Sequence, residues 1–155
     1  MGASAVALWT WMTKSPSDVE PFSVDAFGID GAYPGGTVTI NSSGGGDVFA
    51  FQEAVFKYTE DGVRLRVNGR CNSSCAFGVE LMHRIGGKVC VTEKAYFGYH
   101  MIRYTPGGVE KYAIPMVLRK EIRDYVRDNG GWRVHGLPTV DVGHKQLDEW
   151  YPWCN

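Results

Sequence analysis

Thr37-Val38-Thr39-Ile40-Asn41-Ser42-Ser43-Gly44-Gly45-Gly46 opens as an alternating strand over Thr37–Asn41 and breaks on three glycines. Directly after it the hydrophobic period changes. Val48, Phe51, Val55 and Tyr58 recur at helical spacing, so Asp47 to about Glu60 reads as an amphipathic helix that Gly62 closes. A strand that runs through a glycine turn into a helix is the unit from which parallel sheets are built.

The unit repeats downstream. Val63, Leu65 and Val67 alternate with Arg64, Arg66 and Asn68, which gives a half-exposed strand. Ser73 to Ile85 follows as a helix, with Gly86-Gly87 beyond its end. Lys88–Val91 and Ala95–Tyr99 are short strands. Pro115 to Asp128 forms the last clear helix, with Val117, Leu118, Ile122, Tyr125 and Val126 on its apolar side and Asn129-Gly130 as the stop. Upstream, Ser4–Met12 reads as a buried strand, and Ser15-Pro16 with Asp18 and Glu20 as a helix start. The alternation of strand and helix predicts an α/β fold with right-handed crossovers.

At 155 residues the chain is expected to form a single domain over residues 1–155. A net charge of −1 offers no basic field for nucleic acid. Ala3–Met12 is apolar but too short to span a bilayer and lacks a basic segment before it, so neither a membrane nor a targeting signal is indicated. The compartment stays open between the cytoplasm and, for a chain that has lost a leader, the periplasm.

Sites in parallel α/β sheets gather outside the carboxyl ends of the strands. Three such ends carry chemistry here: the glycine loop after Asn41, Cys71-Asn72-Ser73-Ser74-Cys75 after Val67, and His100 after Tyr99. A serine nucleophile needs a base, donors for an oxyanion and an orienter for the base. Ser73 at a helix N-terminus sits beside unpaired amides, His100 supplies an imidazole able to take the serine proton, and the glycine loop adds a further amide. Ser73 has a rival in Ser74 and also reads as a helix cap. His83, His135 and His144 read as surface or packing residues. Zinc binding by the cysteines matches no strong spacing, so no metal is expected. A disulfide from Cys71 or Cys75 to Cys90 or Cys154 fits an oxidising compartment. The tryptophans at 9, 11, 132, 150 and 153, with Tyr151, read as core and subunit packing.

These segments resemble the Clp protease proteolytic subunit and its phage and periplasmic relatives. The likeness rests on Ile40 to Gly46, on Gly69-Arg70-Cys71-Asn72-Ser73-Ser74-Cys75, and on Gly86-Gly87-Lys88-Val89-Cys90 through Ala95-Tyr96-Phe97-Gly98-Tyr99-His100, followed by Thr105-Pro106-Gly107-Gly108. The Cys-x-Ser-x-Cys form looks more like the periplasmic-type relatives than the ring-forming cytosolic protease. The resemblance implies a crotonase-like fold of stacked ββα units around a mainly parallel sheet. It also implies a serine peptidase acting on a peptide or protein substrate without a cofactor, and self-association into a homo-oligomer. Carried onto this chain, Ser73 is the nucleophile, His100 the base, Asp141 the third member with Asp148 competing, and the amides of Gly44 or Gly45 and of Ser74 the oxyanion donors. Two other functions stay in view: a noncatalytic binding or assembly protein, and a crotonase-type acyl-thioester enzyme that would bind coenzyme A.

Overall fold

The computed structural model describes Ala26, Phe27 and residues 33–155; the expected strand at Ser4–Met12 and the helix start after it lie outside the described residues. β1 (Thr37–Ser43) leads through the glycine loop into α1 (Val48–Asp61), and β2 (Arg64–Asn72) into α2 (Ser74–Arg84). β3 (Lys88–Val91) and β4 (Tyr96–Tyr99) follow, then a hairpin of β5 (Ile102–Tyr104) and β6 (Lys111–Ala113). α3 (Lys120–Asp128), β7 (Val140–Gly143) and α4 (His144–Trp150) complete the chain. The fold is mixed α/β, with a mostly parallel sheet and four α-helices among the described residues. No helix among them is long and apolar enough to cross a membrane.

The ends of α1 form where the sequence predicts. The Asp47 carboxylate accepts the Phe49 amide at 2.8 Å, filling one of the donors a helix N-terminus leaves open. Gly62 takes a left-handed φ of 67°, which allows the Val63 amide to turn back onto the Tyr58 carbonyl. Between the caps Phe51, Val55 and Tyr58 are buried. Burial of each Val, Leu or Phe side chain stabilises by roughly 1.5–3 kcal/mol.

β2 organises the sheet. One edge pairs in parallel with β1; along the other edge Arg64–Val67 pairs with β3 and Arg70–Asn72 with β4, both in parallel. The chain therefore steps from β3 to β4 along one side of the same strand. The step is a turn at Thr92, whose amide donates to Val67 and whose hydroxyl donates to Asn68 at 2.8 Å. This offset sets the end of β4 beside the end of β2. β7 closes the far side antiparallel to β4. Leu65, Val67 and Cys71 of β2 face the helices and are fully buried, while Arg64 and Arg70 on the opposite face are exposed.

The β1–β2 register shifts between Ile40 and Ser42. At that bulge a β-carbon on Gly69 would stand 2.0 Å from the Asn41 carbonyl oxygen, so two backbones approach where no side chain fits. Gly69→Ala is expected to destabilise the fold by about 1–3 kcal/mol. A denaturant midpoint equal to that of the parent chain would contradict the close approach.

The helix expected from Pro115 begins five residues later, at Lys120. Residues 115–119 turn instead, although Val117 and Leu118 are buried as the apolar pattern predicts. The reason is remote in sequence: the Glu80 carboxylate in α2 accepts the Arg119 amide at 2.8 Å and fixes the helix start there. The cysteine pairing also departs from expectation. Cys71 bonds Cys75, and Cys90 bonds Cys154, so no bridge crosses between the two groups. Cys71 is the last buried position of β2 and Cys75 lies in the first turn of α2, which brings their α-carbons to 5.2 Å. With all four thiols paired, none is left as a metal ligand.

Candidate active site

Ser73 occupies the junction between β2 and α2 with φ 56° and ψ −122°. This region disfavours side-chain-bearing residues and costs on the order of 1–3 kcal/mol. The conformation is held from both sides: the Ser73 amide donates to Gly98 of β4 at 2.8 Å, and its carbonyl accepts the Phe77 amide at 3.0 Å to start the helix. Although Ser73 stands at the cap position, its side chain makes no capping bond. The turn between strand and helix is thus strained and its hydroxyl makes no capping bond.

Ser74, the rival, is placed differently. It is buried, and its hydroxyl donates to the Gly46 carbonyl at 2.7 Å. That bond ties the glycine loop to the first residue of α2 and removes the Ser74 hydroxyl from solvent-facing chemistry.

Within the loop the three glycines separate in role. Gly45, at φ 95°, presses on the turn: a β-carbon there would meet the Asn72 oxygen at 2.8 Å, the Ser73 β-carbon at 2.9 Å and the Ser74 nitrogen at 3.3 Å. Its amide donates one long bond, 3.4 Å, to the Ser43 hydroxyl. Gly44 lies on the other side, against the Arg70 guanidinium, and neither Gly44 nor Gly45 is part of the cleft wall. Gly46 does line the cleft.

That cleft, about 320 Å³, is walled by Ser73, Ser74 and His100 with the apolar Val48, Ile102 and Leu137. Ser73 and His100, which arrive from different strand ends, thus face one space. His100 follows directly on β4 and is half-buried. Its Nδ1 lies 2.8 Å from the Met101 carbonyl oxygen. A carbonyl only accepts, so Nδ1 carries a proton, and in the neutral ring Nε2 then holds the lone pair.

The two carboxylates fall elsewhere. Asp141 is exposed on β7, paired in register with Gly98, and Asp148 is exposed on α4. If the β4–β7 register is continued by one residue, Asp141 is the diagonal neighbour of His100, a spacing of about 7–8 Å in regular strands. The partner that orients the imidazole is the Met101 carbonyl. A main-chain acceptor has no residue signature, so sequence reading could not single it out. Met101, Ile102 and Arg103 on the cleft wall were likewise absent from the sequence-based site. Their signal was positional only: they follow a strand-end histidine.

The fold and site together define a mixed α/β protein whose strand-end cleft gathers a strained serine, a histidine and Gly46 of the glycine loop. No protein-family model, curated protein or solved structure matches the chain.

Proposed function

We propose that the chain is a serine peptidase of crotonase-like architecture, with Ser73 as nucleophile and His100 as base. One observation carries the reading: the Ser73 hydroxyl, which makes no capping bond in a strained strand-to-helix turn, shares a cleft with an imidazole whose Nδ1 is held by the Met101 carbonyl.

In this reading Nε2 takes the hydroxyl proton as Ser73 Oγ attacks a peptide carbonyl. The tetrahedral oxyanion accepts from the Ser74 amide at the start of α2; the Gly45 amide, off the cleft wall and bonded to Ser43 at 3.4 Å, joins it only if the loop turns that amide inward. The imidazolium then protonates the departing amine, and water, deprotonated by the same imidazole, releases the acyl group. The Met101 carbonyl keeps the ring in its tautomer, while Asp141 contributes charge from the neighbouring strand without a direct bond. Val48, Ile102 and Leu137 on the cleft wall suit a peptide with a hydrophobic side chain beside the scissile bond, with Arg103 as the charged group of the same wall.

A fluorophosphonate probe tests the assignment. The parent chain is expected to be labelled and Ser73→Ala not. Labelling that persists in the variant places the nucleophile elsewhere, and a parent chain that is never labelled favours the noncatalytic binding protein.

A further inference from the structure

We infer that the Cys71–Cys75 disulfide is a positioning clamp that holds Ser73 in its reactive backbone conformation. The inference rests on the peptidase reading for its consequence in catalysis, but its structural content stands on Ser73 geometry alone.

Two disulfides on one chain allow a comparison. Cys90–Cys154 closes a separation of 64 residues, whereas Cys71–Cys75 closes a separation of 4. Stabilisation through the unfolded chain grows with the length of the loop closed, so the short bridge is the poorer fold stabiliser. Its placement points to another purpose. It joins the last buried residue of β2 to the first turn of α2, and Ser73 is the middle residue of the small ring so formed.

Ser73 at φ 56° has reason to leave that conformation, since a serine side chain is disfavoured there. Its side chain makes no cap bond, and two main-chain bonds, its amide to Gly98 and its carbonyl from Phe77, are what otherwise hold it. The route out is rotation of the 71–75 backbone toward negative φ, which would carry the hydroxyl away from His100. A bridge across the ring removes that freedom. Gly45, whose β-carbon position lies 2.9 Å from the Ser73 β-carbon, closes the space on the open side. Clamp and loop thus confine the turn from two directions.

The test compares the parent chain with Cys71→Ala/Cys75→Ala and with Cys90→Ala/Cys154→Ala. Three quantities are read: fluorophosphonate labelling rate, hydrogen exchange of the Ser73 amide, and Tm. Loss of the short bridge is expected to slow labelling about 10–100-fold, the scale of a roughly 1 Å misplacement, and to speed Ser73 amide exchange while core amides are unchanged. Loss of the long bridge is expected to lower Tm more and to leave labelling below that Tm near the parent rate. Equal Ser73 exchange and equal labelling with and without the short bridge overturn the clamp. A parent chain that is not labelled overturns the peptidase reading instead, and Ser73 exchange still decides the clamp. Reduction of Cys71–Cys75 in the Cys90→Ala/Cys154→Ala chain gives the same comparison on an already folded protein, should the first variant not fold.

Discussion

Ser73→Ala and His100→Ala are each expected to lower hydrolysis of an unstructured protein substrate by about 10⁴-fold or more, and the double variant to be no slower than the slower single one. The non-additivity follows from the geometry. The Ser73 hydroxyl is a weak nucleophile unless its proton has somewhere to go, and the imidazole facing the same cleft offers the acceptor. Once either member is gone, the other has no proton to give or receive, so the second removal costs nothing further. What remains is positioning by the loop amides. Multiplicative losses in the double variant would mean that the two side chains act independently, and the dyad would fall. A change in KM with kcat intact would make them binding residues only. Both variants should fold, because neither side chain completes the core: Ser73 makes no capping bond, and His100 is half-buried.

The candidate residues that the cleft brings together stand out in the sequence for a specific reason. Each stands where a periodicity ends: the glycine loop where β1 alternation stops, Ser73 where β2 gives way to a helical pattern, His100 at the end of β4. Local rules also located α1, because its cap at Asp47 and its stop at Gly62 lie within the segment itself. Elements that depend on remote partners were not legible. The start of α3 is set by Glu80, 39 residues upstream, and no propensity scale reads such a distance. The antiparallel β7 has only four residues, too few for alternation to rise above its surroundings, although Val140 and Val142 do face inward. The disulfide pairing required knowing that the chain folds back at Ser73, which a count of cysteines does not contain. As for Asp141, it entered only through the resemblance, and the sheet register decides how close it comes to His100. The register pairs it with Gly98 rather than with the position of His100.

Glu80→Ala is expected to destabilise the fold by about 3–5 kcal/mol, the cost of breaking a buried charged pair by removing one partner. Glu80 is fully buried in α2, and nothing in the proposed chemistry uses it. Its carboxylate instead joins three parts of the chain. It accepts the Arg119 amide at 2.8 Å, the Arg119 Nε at 3.0 Å and the Tyr151 hydroxyl at 3.0 Å. Arg119 extends the network by donating to the Trp150 carbonyl at 2.9 Å and stacking over the Tyr151 ring. Burial works against the charge on Arg119, but hydrogen bonding and attraction from Glu80 outweigh it and raise its pKa. Tyr151 is pushed upward as well, first by burial, so it remains a neutral donor to the carboxylate. In the alanine variant the Arg119 charge loses its carboxylate partner, the start of α3 loses the acceptor of the Arg119 amide, and the buried Tyr151 hydroxyl loses the carboxylate it donates to. Glu80→Gln should cost less, because a neutral amide retains an acceptor for the Arg119 N–H while giving up the charge. Urea titrations of both variants and of Arg119→Ala check the ranking. If Glu80→Ala unfolds at the parent midpoint, the network is incidental packing and α3 has another anchor. Coupling between the Glu80 and Arg119 substitutions, read as non-additive midpoint shifts, separates the pair from mere loss of volume.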